Sequence, residues 1–383
     1  MQSRISYFWK EADARKKFRT GVSIHSHTNH SRESLSFISI IANRYAFLQW
    51  YVEHHLWKAA RKGVCVDLFK ACWTPPLTAR EAHDVERKQI EDVLALEALV
   101  SLSDHDNIAA STLLRVMPEF ANIPISVEWT VPFAEGNFHF GVHNLPERHA
   151  AAIMAELAAY TKNPAMGRME ELFRYLHELE GVLVVFNHPK WNLCFLDSKR
   201  FEFLLTDFLS RCSAFIHAFE LNGLRSWKEN QAVAVLAHGW NQLVISGGDR
   251  HGREPNANVN MTNAGSFNEF AHEVRVRRMS HVMFMPQYAD PIAMRFFQTF
   301  LDVIREYPDK PEGARSWDQR TLHPGPNGEL KPVAAQWERP PDSIQTLFSL
   351  ARKLESGYAA RLWRAAARNE DLRLHLIDGE QNI

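Results

Sequence analysis

Seven short runs rich in β-branched and aromatic residues alternate with longer segments of helical spacing, and nearly all of them end on an ionisable side chain. The runs extend from Gly21 to His25, Ala98 to Ser103, Ile123 to Val127, Phe138 to Val142, Val182 to Phe186, Ala214 to Leu221 and Gln242 to Ser246. Helical segments fall between most of them: Thr78 to Leu96, opened by a capping box of Thr78 and Glu81, then Glu147 to Tyr160, Met166 to Glu180, Ser198 to Cys212 and Glu229 to His238. Such alternation is the signature of an α/β protein with a mainly parallel sheet, open or closed into a barrel. At or just after the run ends stand His25 and His27, Asp104 and His105, Glu128, His188, Glu220, and Asp249 with His251, while the fourth run carries His139. The C-terminal ends of the strands are the catalytic end of an α/β barrel. If the sheet closes, these groups converge on one rim as a polynuclear metal site.

Composition narrows the alternatives. The 383 residues are 45% hydrophobic, enough for a sizeable core, and 44 Lys and Arg against 45 Asp and Glu leave a net charge of -1. No global basic field holds nucleic acid or an anionic membrane. The four cysteines, Cys65, Cys72, Cys194 and Cys212, form no C-x-x-C pair, which argues against a disulfide framework or a cysteine zinc site. Together with a charged start that lacks an apolar signal stretch, they suit a reducing, cytoplasmic location. The 19 histidines are the conspicuous excess, and histidine is the commonest metal ligand.

Three motifs concentrate the chemistry. In Ile24-His25-Ser26-His27-Thr28, two histidines two apart on a strand project to one face, about 6 to 7 Å apart. Ser103-Asp104-His105-Asp106-Asn107 packs three ionisable groups into a strand-to-loop corner, which a buried core would not tolerate without a cation. In Gly247-Gly248-Asp249-Arg250-His251-Gly252, glycines let the chain turn sharply and bring Asp249 and His251 inward together.

From Thr20 to Gly252 these motifs, with the lone Glu128, His139 and the pair His188-Pro189, stand in the order of the polymerase and histidinol phosphatase (PHP) superfamily of metal-dependent phosphoesterases, which the chain resembles. The resemblance implies a distorted seven-stranded (β/α)7 TIM-like barrel over residues 1–305, with an insert at about 32–97. It also implies two or three divalent ions, Zn, Mn or Fe. His25, His27, Glu128 and Asp249 would hold the first, with Glu128 bridging to a second held by His139 and His188. His105 and His251 would hold a third, with Glu33 or His30 as an extra ligand. Asp104, Asp249 and His251 would be the catalytic groups, and a metal-bridging hydroxide would attack a phosphomonoester or phosphodiester in line. Two departures stand out: Ser23 occupies a position where the family commonly has aspartate, and Ser31-Arg32-Glu33 stands where many members read S-D-G. His143 lies on the same strand face as His139 and is the alternative ligand. Lys190, Arg225, Arg250 and Arg253 adjoin the motifs as candidate phosphate-binding cations.

The remaining features read as structural. His54 and His55 lie among Trp50, Tyr51 and Trp57, a pattern of core packing; His217 points toward the outer helices, and Glu220 and Asn222 toward the lumen. The long insert is a candidate lid. Residues 306–383 read as a Pro-rich wrapping loop, Tyr307 to Pro341, followed by a helix from Ser343 whose stripe runs through Ile344, Leu347, Leu350, Leu354, Tyr358 and Leu362, with Arg361, Arg364 and Arg368 on its other side. The expected partner is a small phosphorylated substrate. A nuclease and a non-catalytic metal-binding barrel are the competing readings, the former disfavoured by the charge balance.

Overall fold

Strands covered on both faces are buried at every position rather than at alternate ones, and the strands Thr20–Ile24, Leu183–Asn187, Ala218–Asn222 and Leu243–Gly247 have this character. The computed structural model describes residues 2–36, 38, 46–61, 67–325, 327–337 and 342–355. In chain order these form β1 (Gln2–Tyr7), β2 (Thr20–Ile24), β3 (Glu33–Ser34), α1 (Ala46–Arg61), β4 (Cys72–Trp73), α2 (Ala79–Lys88), β5 (Glu97–Ser101), β6 (Val127–Phe133) and β7 (Gly136–His143). There follow α3 (Ala150–Lys162), α4 (Met166–Glu178), β8 (Leu183–Asn187), α5 (Ser198–Cys212), β9 (Ala218–Asn222), α6 (Trp227–Gly239), β10 (Leu243–Gly247), β11 (Asn258–Thr262), β12 (Met279–Phe284), α7 (Ile292–Ile304), β13 (Thr321–Pro324), β14 (Leu330–Pro332) and α8 (Asp342–Glu355). No helix among the described residues is long and apolar enough to cross a membrane.

Two five-stranded sheets carry the motifs, in the orders β1-β12-β11-β2-β5 and β10-β9-β8-β7-β6. β2 pairs parallel with β5, and β8, β9 and β10 pair parallel in succession, whereas β6, β7 and β8 are antiparallel. β8 shows how one strand serves two cores: Val184 and Phe186 enter the cluster built around Trp129, Phe140, Phe173 and Phe208, while Leu183 and Val185 face Val22, Ile24 and Phe267. That is the period-two alternation of a pleated strand.

The two sheets meet at the ends of the motif-bearing strands. Beyond β5, Glu128 N donates to Asp104 O at 3.0 Å and Asp106 N to Glu128 O at 2.9 Å. Beyond β2, Asp249 N donates to His25 O at 2.8 Å and His27 N to Arg250 O at 2.9 Å. Asparagines on and beside β11 complete the join, because a side-chain amide offers the same donor and acceptor as a peptide. Asn260 accepts from Ser246 N at 2.8 Å and donates to Ser246 O and Val22 O; Asn258 donates to Leu221 O at 2.6 Å and Asn256 to Ile24 O at 3.0 Å.

Several expectations need correction. The third run begins the strand four residues early: Pro124, which lacks an N–H, lies in the approach, and β6 instead forms a hairpin with β7 through Ala134 and Glu135, with no helix between them. The segment from Tyr307 to Pro341 is not all loop, since β13 pairs with β14 and with β4, giving a third sheet of order β14-β13-β4-β3. Trp50 and Trp57 on α1 are 59% and 54% exposed, so this segment is not core, and His54 stacks on both rings. The side chain of His55, and the residues Cys65, Tyr358, Leu362, Arg361, Arg364 and Arg368, lie outside what is described. The capping box at Thr78 and Glu81 forms as expected, and α2 continues into a π-turn that ends at Ala95 in the left-handed region.

Candidate metal centre

Four of the motif residues follow strand ends with backbone that side-chain-bearing residues rarely adopt. His25, Asp106, His188 and Asp249 have φ of 63°, 48°, 32° and 56°, a conformation that costs free energy and gathers at functional sites. The consequence at the first motif is that His25 and His27 stand just beyond β2 rather than on it, with ring centroids 5.1 Å apart.

Glu128 is the hub. Its Oε1 lies 3.1 Å from His25 Nε2, 3.3 Å from His139 Nδ1 and 3.2 Å from His188 Nε2, and its Oε2 lies 3.3 Å from His27 Nε2 and 3.2 Å from His105 Nδ1. Glu33 is a second centre, 3.2 Å from His105 Nε2, 3.1 Å from His251 Nε2 and 3.6 Å from His27 Nδ1. Asp249 Oδ1 joins them, 3.5 to 3.6 Å from His25, His27 and His251. Three sets among these can each hold an ion: His27, Glu33, His105 and His251; His25, His27 and Glu128; and His105, Glu128 and His139.

The donor atoms pass a test of fit. His25 Nε2, His27 Nε2, His139 Nδ1 and Glu128 Oε2 are buried without a hydrogen-bond partner, an arrangement whose desolvation is costly unless a cation takes up the lone pairs. Partners behind them fix their orientation. His25 Nδ1 pairs with Glu220, Asn187 Nδ2 donates to Glu128 Oε1 at 3.0 Å, and Asp249 Oδ2 accepts from Asn222 Nδ2 and Arg225 Nη2, both at 3.2 Å. Such outer hydrogen bonds set the tautomer and basicity of a ligating imidazole or carboxylate.

Electrostatics follows from the same crowding. Burial disfavours the charged form of every group here, yet His25, His105 and His139 outweigh it at Glu128, and His251, His105 and His27 at Glu33, holding both carboxyls well below the usual range. At Asp249, burial is outweighed by His25, His27, His251 and Arg225 with the same result. Burial likewise opposes protonation of His105, but Glu128 and Glu33 lift it to about 10. Burial and the neighbouring His251 push His27 down to about 3, which keeps its ring neutral and available as a ligand.

Not every expected residue joins the cluster. His139 reaches Glu128, whereas His143 turns inward and binds Ser101 Oγ through Nδ1 at 2.8 Å. Glu33 is in the cluster; the backbone of His30, by contrast, accepts from Asn107. Asp104 commits both oxygens to Thr28, to its N–H at 2.6 Å and its hydroxyl at 2.7 Å, and burial raises its pKa to about 6. Lys190 pairs with Glu202, Arg250 is buried against Glu86, and Arg253 lies over Tyr307. Of the four cations only Arg225 bonds a side chain of the cluster, that of Asp249, and it is stacked 3.4 Å over the centre of the Trp191 ring. Sequence reasoning missed Asn187 and Glu86; Asn187 adjoins His188, a usable signal, while nothing local marks Glu86.

No family model matches the chain, and no curated protein does. Among solved structures, an amidohydrolase from Chromobacterium violaceum with bound sulfate and no metal is 19% identical, with a TM-score of 0.32 over 46% of this chain and 83% of its own. A candidate metal-dependent phosphoesterase from Bifidobacterium adolescentis is 14% identical, with a TM-score of 0.31 over 52% of this chain and 91% of its own. Likeness at this level does not decide what the chain does.

Proposed function

We propose that the protein is a metal-dependent hydrolase, and more narrowly a phosphoesterase acting on a small phosphorylated substrate at a site of two or three divalent ions. The observation that carries this reading is the set of buried, unpartnered donor atoms on His25, His27, His139 and Glu128. The order of the motifs and their resemblance to the PHP superfamily support the phosphoric ester over other hydrolysable bonds. We also read β2, β5, β6, β7, β8, β9 and β10 as one distorted seven-stranded ring; the backbone hydrogen bonds at Asp104–Asp106 with Glu128 and at His25–His27 with Asp249 and Arg250 support that closure.

Bound divalent ions would supply Lewis acidity and a water activated at neutral pH. His25, His27, Glu128 and Asp249 would hold one, His139 and His188 with Glu128 another, and Glu33, His105 and His251 a third. The side chains of His25, His27 and Glu128 have no exposure, while those of His105, His139 and His251 keep 17%, 13% and 12%. Substrate therefore meets the cluster on the side of these three. Arg225, held by Asp249 and Trp191, would be the cation to bind an anionic group of the substrate.

Metal-stripped protein reloaded with Zn or Mn and assayed on an aryl phosphate tests the reading. Turnover that depends on added metal and disappears in His25→Ala and Asp249→Ala is expected; no metal-dependent turnover, on that ester or across a panel of phosphorylated metabolites, overturns it.

A further inference from the structure

Helix α2 lies in the segment between β2 and β5, with Glu86 sixty or more positions from its partners, yet it sends one carboxylate beneath the metal-bearing loops. Glu86 is fully buried, and its carboxylate accepts from Ser23 Oγ at 2.9 Å, Ser26 Oγ at 3.1 Å, Arg250 Nε at 3.0 Å and the backbone N–H of Asn256 at 3.1 and 3.2 Å. Arg250, 5% exposed, spends its remaining nitrogens on main chain: Nη1 donates to Gly252 O at 2.7 Å and Nη2 to His27 O at 2.9 Å. Its own carbonyl accepts from His27 N. One guanidinium thus ties the loop of His25 and His27 to the loop of Asp249 and His251.

From this geometry we infer that Glu86 and Arg250 are positioning residues of the metal centre, with Glu86 aiming the guanidinium and the guanidinium setting the separation of the two ligand-bearing loops. The inference rests on the reading of the cluster as a metal site. A buried ion pair adds little net stability by itself, so its directional bonds are the informative part. A planar fork serves Glu86, His27 and Gly252 at fixed angles, which an ammonium on a flexible stem does not reproduce. Arg250 is therefore no substrate-binding cation here. The location of the carboxylate matters more than the element that brings it: Ser23 Oγ touches Glu86 Oε2, so an aspartate at position 23 presents a carboxylate to much the same place from β2.

The test uses the full chain with Arg250→Lys, Glu86→Gln and the relocated pair Ser23→Asp/Glu86→Ala. Two quantities are read: affinity of metal-stripped protein for Zn or Mn by titration calorimetry, and hydrogen-exchange protection of the His27 and Asp249 amides without metal. Arg250→Lys and Glu86→Gln are expected to bind metal about ten- to a hundredfold more weakly and to lose protection at those amides, and the relocated pair is expected to recover most of both. Unchanged affinity and protection in Arg250→Lys overturn the inference, as does failure of the relocated pair to recover while its melting temperature matches that of Glu86→Gln. If Glu86→Gln does not fold, Arg250→Lys, which keeps the charge, decides alone. Should the wild type bind neither ion, the metal reading fails, and the amide protection still decides whether Glu86 and Arg250 hold the loops.

Discussion

The Nδ1 of His25 is taken by Glu220, so the Nε2 of the same ring is left facing Glu128 at 3.1 Å and Asp249 at 3.6 Å. Glu220 comes from β9 and His25 from the end of β2, so a strand from the second sheet selects the tautomer of a ligand on the first. Glu220→Gln keeps the shape but withdraws the charge from Nδ1. It is expected to weaken metal binding about ten- to a hundredfold, measured by calorimetric titration. Gly247→Ala should act in the same direction, because a Cβ there falls 1.7 Å from Glu220 Oε1.

Metal binding at the proposed centre would be linked to fold stability through the same residues. The proposed ligands are gathered from β3, β6 and β7 and from the turns after β2, β5, β8 and β10, so an unfolded chain offers no comparable site. An ion bound only by the folded state adds about 2.7 kcal/mol at a free concentration a hundredfold above its dissociation constant. Chelation is expected to lower the melting temperature of the wild type, measured by calorimetry, and to lower that of Glu128→Ala by less, since that variant loses the hub of five imidazoles and keeps only the set of His27, Glu33, His105 and His251.

How much of this was legible follows from which signals are local. The runs of β2, β8, β9 and β10 and the polar residues at their ends can be read directly, because burial on both faces writes a continuous pattern and the polar residue that breaks it is conspicuous. β11, with Asn258 and Asn260 in five residues, does not read as a strand; Asn260 bonds the backbone of Val22 and Ser246 and Asn258 that of Leu221, a relationship between distant segments. β13 exists because β4 is there to pair with it, and neither is long enough to announce itself. Glu86 sits on an ordinary amphipathic helix and acquires its role only when Ser23, Arg250 and Asn256 are folded around it.

Space beneath the hub is exacting at Gly141. A Cβ at this position meets His143 Nε2 at 2.5 Å and Asn187 Oδ1 at 3.0 Å, and Asn187 is the residue that donates to Glu128. Gly141→Ala forces one of these side chains to move, an overpacking cost of about 1–3 kcal/mol, with Glu128 losing its amide partner if Asn187 yields. Reduced stability in urea together with weakened metal binding is the expected outcome; reduced stability with unaltered affinity assigns the strain to His143 instead.

A histidine remote from the centre should govern part of the acid response. His217 accepts from Val184 N at 2.8 Å and shares a hydrogen bond with His177 at 2.9 Å, and burial, then Arg275, His177 and Arg278, push its pKa from 6.5 down to about 2. The folded protein therefore keeps this ring neutral, while the unfolded chain takes up a proton below pH 6.5. Its contribution is intact above that pH and declines as pH falls toward 2, by about 1.4 kcal/mol per unit for one proton. His217→Gln removes the titration but keeps an acceptor for Val184. Urea unfolding at pH 7 and pH 5 is expected to show a stability loss smaller in the variant than in the wild type by about 2 kcal/mol. Equal losses in the two proteins would mean that this ring is already protonated in the fold, and that its bond to His177 is not between neutral imidazoles.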